Sequence, residues 1–146
     1  MNIVIDTNVF ISALIKDSSS RELIVNSENN LFFPEFEYDE IEKHKEEILR
    51  KSGLSEEDFR NLLSNLLKYV KIVKTEDIID YKKQAFGIIG KIDENDVIFI
   101  ATALAHNAAI WSEDKHFQKQ NTIKILRTRD IINIYRTYGN RDWNNN

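Results

Sequence analysis

Short runs of β-branched and aromatic residues, each followed by a helix-forming segment, are the feature that most limits what this chain can fold into. The first run, Asn2-Ile3-Val4-Ile5, is apolar at three successive positions. A strand with both faces apolar belongs inside a sheet covered on both sides. Leu31-Phe32-Phe33 reads the same way and is stopped by Pro34. Val70 to Val73 is a weaker strand, and Ala109 to Ser112 and Ile123 to Leu126 are two more.

Helical signals fill the intervals. Asp6 or Thr7 caps a helix running to about Ile15, and Ser20 caps a short one from Arg21 to Asn26. A long helix is predicted from Glu35 to Lys51, with Ile41, His44, Ile48 and Leu49 at helical spacing and Gly53 as its stop. Ser55 and Asp58 form a capping-box pattern ahead of the stripe Phe59, Leu62, Leu63, Leu66 and Leu67. Asp77 to Ile89 reads as a helix, Asn95 or Asp96 starts another, and Thr128 caps the last, to about Tyr135. Strands alternating with helices predict an α/β protein, a three-layer α/β/α sandwich around a central, mostly parallel sheet.

The chain has 146 residues, 42% of them hydrophobic, which suits one domain with one good core. No Gly/Ser linker divides it, so a single domain is expected over residues 1–138. The remainder, 139–146, reads GNRDWNNN; it has little to bury and is expected to be a flexible tail. The absence of cysteine excludes disulfides and thiolate metal sites and fits a reducing interior. The opening MNIVIDTNVF lacks the pattern of a signal peptide, and no apolar run approaches the ~20 residues that span a bilayer. A cytoplasmic protein without a membrane partner is therefore expected. The formal net charge of -4 argues against strong long-range attraction to nucleic acid. The distribution softens that argument, because from Lys115 to Arg141 Asp130 is the one acid among seven basic residues.

In a parallel sheet, ligands sit beyond the carboxyl ends of the strands, near a reversal of strand order. Asp6 directly follows the first strand, and Asp114 follows the Trp111-Ser112 strand end by two residues. Asp96 begins the helix leading into that same strand, and Glu40 lies in the first turns of the helix after the second strand. The topology brings all four acids to one edge. Carboxylates gathered there repel one another unless a cation joins them. Their hard oxygens favour Mg²⁺ or Mn²⁺. His44, His106 and His116 lack the tight spacing of a zinc site. Each acid also has a plainer reading: Asp6, Asp93 and Asp96 as helix caps, Asp114 as a turn residue, Glu40 as one member of a solvated acidic face with Glu35, Glu37, Asp39, Glu42, Glu46 and Glu47.

The stretches IVIDTNVFISAL, PEFEYDEIEKHKEEI and DENDVIFIATALAHNAAIWSEDKHF, in this order, resemble the PIN-domain family of nucleases. That family includes the toxin component of VapBC-type toxin–antitoxin pairs. The resemblance implies a PIN-like fold and a metal-dependent endoribonuclease. Its acidic positions fall on Asp6, Glu40, Asp96 and Asp114, with Asp6, Asp96 and Asp114 holding Mg²⁺ or Mn²⁺. Asn8 and Ser112 match neighbours of these acids, and Ser112 is expected to hydrogen-bond a carboxylate or a metal-bound water. Glu37, Asp39 and Glu42 compete with Glu40 for the helical position. Asp93 fits a DxxD pattern seen in some members. Lys115, His116 and Lys119, near Asp114, are candidate contacts for substrate phosphates and read equally as solvated loop residues, as do Lys43 and Lys45. His106, Trp111 and Phe117 read as core. The resemblance further implies an RNA substrate, an antitoxin protein as partner, and a homodimer. The competing reading is a non-catalytic PIN scaffold that binds RNA or a protein partner.

Overall fold

The computed structural model describes residues 1–16 and 18–138. The segment expected to be a flexible tail, 139–146, lies outside the described residues. Five strands form one sheet in the order β3-β2-β1-β4-β5. They are β1 (Asn2–Ile5), β2 (Asn30–Pro34), β3 (Lys71–Val73), β4 (Ala109–Trp111) and β5 (Ile125–Leu126). Every neighbouring pair is parallel, with β1 at the centre in register Ile3↔Leu31 on one side and Ile3↔Ala109 on the other.

Side chains alternate across the strands, so each strand feeds two cores. Ile3, Ile5, Leu31, Phe33 and Trp111 face one layer. That layer is built from α1 (Thr7–Ile15), α2 (Ser19–Val25), α3 (Tyr38–Lys43), α4 (Lys45–Ser52) and α5 (Glu56–Leu67), which bury Phe10, Leu14, Ile24, Ile41, Ile48 and Phe59 against it. Val4, Phe32 and Ile110 face the opposite layer, where α6 (Thr75–Ile78), α7 (Lys82–Ala85) and α8 (Val97–His106) supply Ile78, Ala85, Phe99 and Ala103. The last helix, α9 (Thr128–Tyr138), returns to the first layer through Ile131. Phe10 stacks on Phe33 with ring centroids 5.1 Å apart; truncating either to alanine would cost about 3–5 kcal/mol. The three-layer α/β/α expectation therefore holds, and His106, Trp111 and Phe117 are indeed packing residues, His106 stacking on Phe32 at 4.4 Å.

Three helix boundaries differ from expectation. The predicted helix from Glu35 to Lys51 is broken: Glu35–Glu37 is a 3₁₀ turn, and α3 ends at His44. There the His44 amide is shared between the carbonyls of Glu40 (3.2 Å) and Ile41 (3.1 Å). Ile41 and Ile48 lie seven residues apart and keep one buried face through the break, so periodicity alone cannot reveal it. The predicted helix from Asp77 to Ile89 is likewise a series: α6, a 3₁₀ turn (Ile79–Tyr81), α7 and a π turn (Phe86–Gly90). Gly87 and Gly90 weaken regular helix there. The second helix is capped by Ser18, not Ser20; Ser18 Oγ accepts from the Arg21 amide, while Ser20 is buried.

The chain runs outward from β1 to β2 and β3, then returns to place β4 on the other side of β1. Strand order thus reverses between β1 and β4. Asp6 and Ser112 emerge at that reversal, where the Asp6 amide donates to the Trp111 carbonyl at 3.0 Å.

Candidate active site

A cleft of about 750 Å³ opens at the carboxyl edge of the sheet, lined by Asp6, Glu37, Glu40, Asp96 and Asp114 among others. Asp6 reaches it from the end of β1 and Asp114 from the turn after β4. Asp6 occupies the residue before α1 in extended conformation, yet its carboxylate does not cap that helix. It accepts instead from Ser112 Oγ at 2.7 Å, although the two residues are 106 positions apart. The same hydroxyl oxygen accepts the Asp114 amide at 2.9 Å. Ser112 is fully buried, so a single hydroxyl fixes two acids relative to each other. Burial pushes the Asp6 carboxyl above the usual range; the Ser112 hydrogen bond works against this, the Asp114 charge adds to it, and the Asn8 and Thr7 amides oppose it. Asn8 itself is exposed on the first turn of α1 and lines the cleft.

Asp96 ends the 3₁₀ turn Glu94–Asp96 and precedes α8. It is 7% exposed. Its Oδ2 is buried and has no hydrogen-bond partner among the described residues. Burial, then the charges of Asp93, Asp114 and Asp6, push its pKa up to about 7, while His116 draws it down. Asp93 has two roles at once. One oxygen caps the 3₁₀ turn by accepting the Asn95 amide at 2.9 Å. The other lies 2.9 Å from His116 Nδ1. That same imidazole nitrogen is 3.9 Å from Asp96 Oδ2 and 3.8 Å from Asp114 Oδ1. His116, considered from sequence as a phosphate contact, thus sits inside the acidic cluster. Lys115 is exposed on the turn after Asp114 and does not line the cleft.

The helical acid is a pair. Glu37 is buried and accepts from Thr7 Oγ1 at 3.0 Å. Burial raises its pKa against that hydrogen bond, with Glu40 and Asp6 adding repulsion. Glu40 lines the same cleft but is 38% exposed, and Lys43 Nζ pairs with it at 2.9 Å. Asp39 and Glu42 do not line the cleft; Glu42 pairs with Arg60. Sequence reasoning singled out Glu40 and kept Glu37 as a competitor. The signal that both reach the cleft is their spacing of three residues, which puts side chains on one face of a helical turn.

A divalent cation fits this donor set. Asp93, Asp96 and His116 each offer one ligand atom, and these lie within 4.8 Å of one another. A buried carboxylate oxygen without a partner is costly in the absence of a cation. Two carboxylates and one imidazole form a donor set that a divalent ion accepts.

The arrangement of a parallel sheet, strand reversal and carboxylate cleft agrees with what comparison finds. The PIN domain family matches residues 4–136, and the chain belongs to that family. PIN domains are generally nucleases. Among solved structures, the chain is similar to one chain of the crystal structure of VapBC2 from Rickettsia felis bound to a DNA fragment from their promoter. That likeness has a TM-score of 0.65 and 17% identity, and covers 87% of this chain and 98% of that one. It shows the shared fold. No curated protein sequence matches significantly. Among the described residues, no helix is long and apolar enough to cross a membrane.

Proposed function

We propose that the chain is a divalent-cation-dependent endoribonuclease, acting in the cytoplasm as the toxin of a toxin–antitoxin pair. One observation carries the reading: Asp96, which lines a cleft shared with Asp6, Asp114, Glu37 and Glu40, has a buried carboxylate oxygen with no hydrogen-bond partner among the described residues.

Asp6, Asp96 and Asp114 would hold Mg²⁺ or Mn²⁺, with Asp93 and His116 beside Asp96 as further donors. When bound, the cation neutralises the pooled carboxylate charge, polarises the phosphodiester and stabilises the leaving oxygen. Ser112 holds Asp6 and the Asp114 backbone in fixed relation, so the two acids need little reorganisation. Asn8 forms the neighbouring rim at the start of α1. Glu40 accepts the proton of the attacking water, and Lys43 orients its carboxylate. Glu37, tied to Thr7, braces the same wall from below. The water oxygen bonds to phosphorus, the ester P–O bond breaks, and the released oxygen takes up a proton from solvent.

RNA as substrate, the antitoxin and the homodimer rest on the resemblance to VapBC-type toxins. The structural likeness to a chain of VapBC2, a toxin–antitoxin complex, supports the same direction. The test is cleavage of a mixed pool of structured and single-stranded RNA by wild type and Asp96→Asn, in Mg²⁺, Mn²⁺ or EDTA. Cutting that needs the cation and disappears in the folded variant is expected. Cutting by Asp96→Asn at the wild-type rate, or undiminished cutting in EDTA, contradicts the reading. A folded wild type that neither binds Mn²⁺ nor cuts RNA in the pool favours the non-catalytic scaffold.

A further inference from the structure

We propose that Phe36 and Phe86 are substrate-positioning residues that stack on nucleobases beside the carboxylates; this rests on the nuclease reading above. Of the eight phenylalanines, six are buried in the two cores. Phe36 and Phe86 are 63% and 48% exposed, and both line the carboxylate cleft. They arrive from separate elements, Phe36 from the turn after β2 and Phe86 from the π turn after α7. A lone exposed apolar residue means little. Two large rings left in water on the walls of one acidic cleft point to a ligand with flat apolar faces.

Local structure seats one of the rings. Phe36 precedes the buried Glu37 and is itself exposed. The Phe86 ring lies against Gly90, where an added Cβ would collide with it. Glycine at position 90 thus gives the ring its seat. π turns of this kind recur at functional sites.

Charge decides what kind of ligand fits. Lys82 and Lys83 line the cleft beside Phe86, four and three residues before it and on the same helical face. No salt bridge among the described residues engages either lysine. Aromatic rings with adjacent ammonium groups suit bases and phosphates of a single strand. In a duplex the base faces are stacked on one another and cannot reach the rings.

The experiment measures anisotropy of a fluorescein-labelled single-stranded RNA, and of the same sequence as a duplex, with full-length protein carrying Asp96→Asn to prevent cutting. Phe36→Ala and Phe86→Ala are each expected to weaken single-strand binding roughly 5- to 150-fold. Phe86→Tyr should retain it, and Gly90→Ala should weaken it by displacing the ring. Duplex should bind more weakly than single strand. Unchanged single-strand binding by both alanine variants would overturn the proposal and assign the rings to an apolar segment of a protein partner. Equal affinity for duplex, or no single-strand binding by the parent protein, would overturn it too. The nuclease reading fails separately: it falls if Asp96→Asn cuts RNA, whatever the two rings do.

Discussion

Asp6 and Asp96 are both buried acids at the same sheet edge, 5% and 7% exposed, but the fold treats them differently. Asp6 receives the Ser112 hydroxyl and is supported by nearby backbone amides. Asp96 receives no hydrogen bond on Oδ2 and faces Asp93, Asp114 and Asp6. One carboxylate is stabilised from within the protein. The other has a buried oxygen with no hydrogen-bond partner among the described residues. Of the buried acids of the cleft, Asp96 has the most strongly raised pKa, and under the proposed function it is the residue whose substitution should matter most.

The comparison breaks most visibly through Asp96→Asn. It should lower cation-dependent cleavage by about 10²–10³-fold while leaving the fold intact, as checked by circular dichroism. Ser112→Ala attacks the supported acid instead. It should lower activity or cation affinity about 10- to 100-fold and, by leaving the buried Asp6 short of a donor, cost about 1–3 kcal/mol in urea denaturation.

pH sharpens the contrast. The native Asp96 carboxyl keeps its proton up to about pH 7, whereas the unfolded chain releases it near 3.8. Between those values the native state binds more protons than the unfolded one, so stability falls as pH rises. Asp6 and Glu37, also raised by burial, act in the same direction. The Tm of metal-free protein should therefore drop between about pH 4 and pH 7. Asp96→Asn should remove most of that drop, and Mn²⁺ should stabilise wild type more at the higher pH. A Tm that rises over this interval would contradict the account.

The two helical glutamates separate next. Glu40→Gln should slow cleavage about 10²-fold with little change in Tm, because Glu40 is the proton acceptor of the proposed mechanism. Glu37→Gln should show the smaller kinetic effect and a flatter stability-versus-pH curve, because it removes a buried ionisable group. The smallest effect lies far from the cleft. Arg60→Ala, which breaks the half-exposed pair with Glu42, should cost about 0–1 kcal/mol and leave cleavage unchanged.

The sheet was readable because its strands are buried on both faces; Ile3, Val4 and Ile5 have no polar alternation to confuse with a surface strand. The same logic carried Asp6, Asp96 and Asp114 to one edge, since strand ends and helix starts share that edge in any such topology. Helix interruptions were hidden by conserved spacing of buried residues across the His44 break, and by glycines whose local effect depends on the Phe86 ring. Burial of Glu37 was not legible among seven nearby acids, because its partner Thr7 is 30 residues away. The His116–Asp93 contact spans 23 residues and follows from how the turn after β4 meets the start of α8. Sequence spacing carries no trace of such a meeting.

The most direct test is Mn²⁺ binding by isothermal titration calorimetry at about pH 6.5, in two buffers of different ionisation enthalpy, for wild type and Asp96→Asn. Wild type should bind Mn²⁺ and release a proton as Asp96 becomes a ligand, and Asp96→Asn should lose both the affinity and the proton release. Equal affinity in the two proteins, with no proton released by either, would show that the orphaned carboxylate is not the cation seat.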